Sequence, residues 1–267
     1  MNILRNKTFA IIGMGNIGGI LIARLLSAGV STNDLVICDT DQLRVESIAS
    51  KHNVRTVMLP DESICKANVL LVAAPPKSTI DILKRLTQWL CPKELVVSFA
   101  AAVPLDSLEA ELPADTPVVR IMPNAPSLVG QGMNPVAYGH HVTPEARALA
   151  QAILKILGET VIVQDSQMNW CAGLSGAAMR SVLPALLGMT LAGVEAGLSE
   201  KDARRVAAQV MLGTATLALQ TDMTFEEIKA LTPMQIIDEP VVTKLFQEAV
   251  HTAKGKIDQL QDKLASV

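Results

Sequence analysis

The sequence predicts an α/β chain in which a doubly wound parallel sheet comes first and an all-helical domain follows. Short apolar runs alternate with helical patterns through the first half, and a glycine-rich turn interrupts the first of these units. After Gly139 nearly every segment has helical periodicity. The chain has 267 residues, 49% hydrophobic and 18% charged, enough to bury one sizeable core or two smaller ones.

"TFAIIGMGNIGGILIARLLSAG" begins as a strand, breaks at Gly13 and continues as a helix to Gly29, a residue suited to the position just past a helix end. "DLVIC", Asp34 to Cys38, is the second strand; Asp39 closes it, and a helical pattern from Asp41 towards His52 completes the first βαβ unit. The alternation continues through "VRTVM", a short helix near Asp61 to Lys66, "NVLLVAA" and a helix from about Ser78 to Leu90. "ELVVSFA", a short helix near Leu105 to Leu112 and "TPVVRIM" complete it. Continuous apolar strands separated by helices imply a parallel sheet covered on both faces.

Helices are expected over Thr143 to Leu157, Gln167 to Ala196, Glu200 to Leu219, Thr224 to Ala230 and Pro240 to Leu264, with one short strand at "TVIVQ". The boundary is placed at Gln164, giving domains 1–164 and 165–267. "KGKIDQLQDKLASV" reads as a solvated helical end. "GLSGAAMRSVLPALLGMTLAGVEAGL" is apolar on nearly every side, and such a helix is normally buried. A domain of about 100 residues cannot enclose several such helices alone, so a helix-swapped homodimer is expected.

The formal net charge is -3 and no basic stripe interleaves with aromatics, which argues against nucleic acid or an anionic membrane as partner. No uninterrupted apolar stretch reaches about 18 residues, so no membrane span is expected. Arg5 and Lys7 precede glycines rather than a cleavage site, unlike a signal peptide. Cys38, Cys65, Cys91 and Cys171 are scattered without zinc or disulfide spacing, which fits a reducing cytoplasm. His140 and His141 have no Cys or carboxylate at matching spacing and read as surface residues, so no metal is expected.

Gly13, Gly15 and Gly18 fit G-x-G-x-x-G between a strand and a helix, the fingerprint of a Rossmann dinucleotide-binding domain. The first glycine makes the tight turn, the second admits the pyrophosphate and the third packs helix on strand. Asn16 and Ile17 lie between them at the helix start, where unpaired N–H groups favour an anion. Asp39 stands where a carboxylate accepts from the adenosine ribose hydroxyls, which favours NAD(H). Arg44, one helical turn on, is placed to meet a 2′-phosphate instead, so NADP(H) stays open. "VAAPP", with Ala74 and Pro75, and "SFAAAVP", with Ala100, follow strands at their carboxyl ends, where a doubly wound sheet binds its ligand. Trp170 is assigned to core packing in preference to a cofactor or dimer contact.

"VVRIMPNAPSLVGQG", together with "GMGNIGG", "SFAAAVPLDSLE" and "LSGAAMRSVLPALLGMTLAGVEAGLSEKDARRVAAQVMLGTA", resembles the pyrroline-5-carboxylate reductase family. The resemblance runs from about Lys7 to Lys256 and implies a Rossmann domain, an all-helical dimerisation domain and reduction of a cyclic imine by a nicotinamide cofactor. Met122 and Pro123 then face the nicotinamide, and Asn124 offers its amide to cofactor or substrate. The sequence also departs from the family. "SGAAMRS", Ser175 to Ser181, stands for S-G-S-G-P-A-Y, "TPMQIIDE", Thr232 to Glu239, for S-P-G-G-T-T, and Ala74 for the lysine of V-K-P. Groups that hold the pyrroline carboxylate in the family are therefore largely missing. Either the pocket is rebuilt, with Arg180 clamping a carboxylate and Asp238 or Glu239 meeting an amine or giving a proton, or Arg180 pairs with an acidic neighbour and the acidic pair caps a turn.

The leading expectation is an NAD(P)H-dependent imine reductase in proline biosynthesis or a specialised pathway, with Ser175 and Arg180 on the substrate. The alternatives are reduction of an open-chain imine or ketone with Glu239 as acid, and a cofactor-binding regulatory protein without catalysis.

Overall fold

The structure is a computed structural model and describes residues 3–232 and 234–266, so Pro233 of "TPMQIIDE" lies outside the described residues. The first half contains β1 (Phe9–Ile12), α1 (Asn16–Ser27), β2 (Leu35–Cys38), α2 (Gln42–His52), β3 (Arg55–Val57), β4 (Val69–Val72), α3 (Pro76–Leu86), β5 (Leu95–Ser98), α4 (Leu105–Glu109) and β6 (Val118–Ile121). Then come β7 (Gly132–Met133), β8 (Val136–Tyr138), α5 (Pro144–Leu157), β9 (Gly158–Glu159) and α6 (Met168–Cys171). A π-helical turn over Ala172–Ala177 leads into α7 (Ala178–Glu195), followed by α8 (Glu200–Gln220), α9 (Phe225–Ala230) and α10 (Glu239–Ala265).

The sheet order is β3-β2-β1-β4-β5-β6-β8, parallel as far as β6. The chain leaves β1 for one side and returns at β4 on the other, so the topological switch point lies between the carboxyl ends of these two strands. Every residue of β1, β2, β4, β5 and β6 is buried, as their largely apolar runs require, with Ser98 and Arg120 the polar exceptions. Alternate residues face two cores. Phe9, Ile11, Leu71 and Val119 pack with Leu21 and Leu25 of α1 and Ile153 of α5, and Ala10, Ile12, Leu70 and Val96 with Leu83 of α3 and Leu108 of α4. Each such large side chain contributes about 1.5–3 kcal/mol on burial.

Several expectations are corrected. Residues 62–66 form turns rather than a helix, because Asp61 Oδ1 accepts from Ser63 N at 2.9 Å and diverts the backbone into a tight local bend. β8 adds an antiparallel edge that three residues were too few to announce. In place of a strand over "TVIVQ", the parallel pair β7–β9 and a single bridge from Val136 to Ile162 form. The end of α10 is not a solvated tail. Ile257 and Leu264 pack against the second core, and Asn169 Nδ2 donates to Asp258 Oδ1 at 3.0 Å and Gln261 Oε1 at 2.8 Å. Trp170 is 41% exposed rather than in the core, with the Lys254 ammonium 5.2 Å from its ring centroid.

Two compact units result: one runs through Gly176 and resumes at Thr252, the other is Ala177–His251. Met168 and Ala172, beyond the boundary placed at Gln164, are buried in the second core of the first unit. In the other unit α7 and α8 form a hairpin, and Ser199 Oγ caps α8 by accepting from Asp202 N at 3.1 Å. Leu183, Leu187 and Leu191 of α7 and Val206 and Val210 of α8 are exposed in the single chain. The helical run Asp165–Glu195 has 31 residues and a mean hydropathy of 1.5 in its most apolar window, so it has the length and composition to cross a membrane, against the expectation of no such span.

Arg120, on β6, is 1% exposed, and its Nη1 meets Asp165 Oδ1 at 2.8 Å. Asp165 Oδ2 also accepts from Leu105 N at 3.0 Å, so one carboxylate ties β6, the start of α4 and the helical run that begins at Asp165. Asp165→Ala strands the guanidinium without a counter-charge and is expected to lower the unfolding free energy by about 3–5 kcal/mol, measured by urea denaturation.

Candidate active site

Gly13 leaves β1 with φ +92°, and its N–H donates to Cys38 O at 2.8 Å. A Cβ there would sit 2.7 Å from Ala74 N and 2.8 Å from Ala73 O, so the turn lies directly on the backbone that follows β4. A Cβ on Gly18 would run into Gly13 O, which is why the third glycine lets α1 pack close. Gly15 has nothing within 4 Å of its would-be Cβ and caps α1 without a side-chain hydrogen bond. The start of α1 thus has no side-chain cap, and a helix N-terminus of this kind has unpaired N–H groups that favour an anion.

The start of α1 opens onto a cleft of about 970 Å³. The turn contributes Gly13, Gly15, Asn16 and Ile17, and the strand ends contribute Asp39, Ala74, Pro75 and Ala100. Asp41, Leu59, Pro60 and Arg85 also line it and were not anticipated. Asp41 had a local cue as the residue before a helix. Arg85 had none, because only the fold brings its Nε to Pro60 O at 2.9 Å.

Asp39 Oδ2 accepts from Met14 N at 2.6 Å and Oδ1 from Asp41 N at 2.9 Å. Burial alone would raise its pKa, but the two backbone N–H groups and nearby Arg44 outweigh that and hold it below the usual carboxylate value. Arg44 Nη1 lies 3.4 Å from Asp39 Oδ2 and Nη2 lies 3.3 Å from Asp41 Oδ2. Cys38 also lines the cleft, but burial pushes its thiol up to about 12, which leaves it inert as a nucleophile.

Gly18, Met122, Pro123 and Asn124 do not line this cleft. Met122 is 8% exposed and belongs to the second core. Asn124 is committed at both ends: Oδ1 accepts from Met133 N at 3.1 Å and Nδ2 donates to Ser175 O at 3.0 Å. Farther along the loop Ser127 Oγ donates to Asn134 Oδ1 at 2.8 Å, and Asn134 Nδ2 donates to Glu159 O at 3.0 Å. The loop over residues 121–132 is thereby pinned at its base, with Gly130 at φ +71° closing its 3₁₀ turn. Ser175 sits in the π-helical turn, an irregularity common at functional sites, and its Oγ donates to Cys171 O at 2.8 Å.

Arg180 and Glu239 belong to the second unit. Arg180 is exposed on α7, while Glu239 Oε2 is 3.1 Å from Lys229 Nζ. Asp238 Oδ1 accepts from Val241 N at 3.1 Å, so it caps the start of α10.

The histidine doublet is not without carboxylates, because folding brings them from elsewhere in the chain. His140 Nδ1 is 2.7 Å from Glu109 Oε2 and His141 Nδ1 is 3.3 Å from Asp115 Oδ1. Ligand atoms of Asp106, Glu109 and His140 lie within 4.8 Å of one another. The hydrogen bond to Glu109 and its charge raise the His140 pKa above the ordinary histidine value.

A family model described as pyrroline-5-carboxylate reductase dimerisation matches residues 165–260, and one described as NADP oxidoreductase, coenzyme F420-dependent, matches residues 8–102. A pyrroline-5-carboxylate reductase of Mycobacterium leprae is 33% identical over 216 residues, covering 79% of this chain and 73% of its own. The chain belongs to the pyrroline-5-carboxylate reductase family. The family member of Methanosarcina acetivorans is 28% identical over 97% of this chain and 100% of its own. Among solved structures, one from Coxiella burnetii has a TM-score of 0.79 at 22% identity and covers 95% of this chain and 98% of its own. The Plasmodium falciparum structure, which contains NADP, has a TM-score of 0.81 at 17% identity and covers 96% and 99%. At these identities the two structures bear on the fold, which they share with this chain. The two family models fall on the sheet that carries the glycine turn and on the helices that follow it.

Gly13→Ala is expected to weaken folding and dinucleotide binding together, since both the φ and the contacts forbid a Cβ. Gly15→Ala is expected to leave the melting temperature within about 2 °C while lowering dinucleotide affinity at least about ten-fold, checked by thermal melts and titration with reduced cofactor. The raised His140 pKa stabilises the fold fully below the unfolded value near 6.5, and this contribution is lost as pH rises through the folded value. His140→Ala should therefore lessen the fall in urea midpoint between pH ~6 and ~8.

Proposed function

We propose that the chain reduces the C=N bond of a cyclic imine of the pyrroline-5-carboxylate kind with a nicotinamide cofactor, and prefers NADH. The observation that carries this reading is the open N-terminus of α1 at Gly15, facing a cleft at the switch point of the sheet. In this reading the N–H groups of Asn16 and Ile17 hold the pyrophosphate and Asp39 accepts from the ribose hydroxyls. Ala74, Pro75 and Ala100 form an apolar wall that excludes water, and Met122, in the second core, backs the nicotinamide end together with the buried Pro123. The cofactor, when bound, supplies a hydride. A protonated imine is already electrophilic, so orientation matters more than a strong protein acid.

Asn124 holds the π-helical turn, which sets Ser175 for the substrate, and Arg180 is the cation for its carboxylate. The NADH preference is supported by the anionic Asp39, beside which a 2′-phosphate is repelled. Reduction of an open-chain imine or ketone would call on Glu239 as acid, but its ion pair with Lys229 speaks against this. A regulatory protein without catalysis would have little use for a braced loop after β6.

We also place the protein in the cytoplasm as a helix-swapped homodimer. The four cysteines are free thiols, and the apolar faces of α7 and α8 call for a cover. α8 carries Glu200, Lys201, Asp202, Arg204 and Arg205, which makes a protein partner a better cover than lipid for this hairpin.

The test is oxidation of NADH with pyrroline-5-carboxylate and a panel of other cyclic imines. Turnover at roughly 1–10³ per second is expected with a cyclic imine, and none with open-chain ketones. Ser175→Ala is expected to raise the KM for the imine about ten-fold without changing cofactor affinity. Absence of turnover with every imine, despite tight cofactor binding, would overturn the reading.

A further inference from the structure

The start of α2 holds a cation that two acids keep occupied. Arg44 and Arg85 are the cationic side chains lining the cleft among the described residues. Arg85 Nε is committed to Pro60 O at 2.9 Å. Arg44 lies at the ribose end beside Asp39, where a 2′-phosphate would have to be received, but its guanidinium is shared between Asp39 Oδ2 at 3.4 Å and Asp41 Oδ2 at 3.3 Å. One positive charge thus faces two negative ones, and the local balance is negative.

We propose that Asp41 is a specificity-determining residue of this site: it holds Arg44 away from the 2′-phosphate position, so that neutralising Asp41 releases Arg44 to bind NADPH. The proposal rests on the cofactor site described above.

The two acids are not equivalent. Both oxygens of Asp39 accept backbone N–H groups, from Met14 and Asp41, so an amide at residue 39 would turn its NH₂ against a backbone donor and disturb the glycine turn. Asp41 uses Oδ1 to cap α2, accepting from Arg44 N at 3.1 Å, and Oδ2 to hold the Arg44 guanidinium. Asn is as good an N-cap as Asp, so Asp41→Asn keeps the cap and removes only the charge. The selectivity of the site therefore lies in a residue that folding does not need to be charged.

The experiment titrates the full chain with NADH and with NADPH, without imine, following the fluorescence of the reduced nicotinamide. Asp41→Asn should strengthen NADPH binding about ten-fold while changing NADH binding by less than about two-fold. The gain should weaken at high salt, as expected for an exposed charge pair. It should vanish in D41N/R44Q, whereas Asp41→Ser, also a good cap, should reproduce it. An unchanged NADPH to NADH ratio in D41N and D41S, or a gain that survives R44Q, overturns the proposal. A wild-type chain that binds NADPH more tightly than NADH would overturn the NADH preference alone, because the D41N shift is measured relative to wild type and decides the role of Asp41 by itself.

Discussion

At Gly13 two stretches of backbone approach so closely that no side chain fits between them. β1 and β4 lie side by side in register, Ile12 opposite Val72, and the chain leaves both toward the same edge of the sheet. The approach of Gly13 to Ala73 and Ala74, repeated by Gly18 against the Gly13 carbonyl, fixes where α1 begins, and Gly15, Asn16 and Ile17 line the cleft. A bulkier turn would move the start of α1 away from the switch point.

Around that turn, charge is organised by the fold itself. Asp39 ties Met14, inside the glycine turn, to the end of β2 through one oxygen and accepts from Asp41 N through the other. A residue with two such duties is hard to vary, whereas the neighbouring Asp41 and Arg44 form a softer layer in which charge can change while the helix cap remains. The loop after β6 follows a similar economy. Its prolines limit the backbone, but its position comes from Asn124, Ser127 and Asn134, each with its polar atoms spent on a named partner.

The helical second unit has a different physical problem. Its apolar side chains exceed what a two-helix hairpin can cover, so leucines and valines stand in solvent in the single chain. The helical run Asp165–Glu195, which includes α7, has the length and hydropathy of a membrane helix, yet residues 165–260 match the dimerisation domain of the family. Hydropathy alone reports that a face needs covering, and the charges along α8 together with the family match bear on what covers it.

The sequence by itself determined the alternation of strands and helices, the glycine turn, the acid after β2 and the long helices after Thr143, because each depends on local periodicity or on backbone chemistry carried by single residues. It also carried the family through the "RIMPN" stretch, though the duty of Asn124 in that stretch was not legible. Tertiary structure alone decided what depends on contacts between distant residues: Asn124 gripping the carbonyl of Ser175, Arg120 buried against Asp165, Arg85 joining the cleft, carboxylates meeting the histidine doublet, and the end of α10 packing on the second core. β8 and the turn at Asp61 belong to the same class, since three-residue edge strands and side-chain-driven bends have no periodicity to read. Polar side chains at such places are ambiguous in a sequence because their partners, and therefore their roles, are set only when the chain closes.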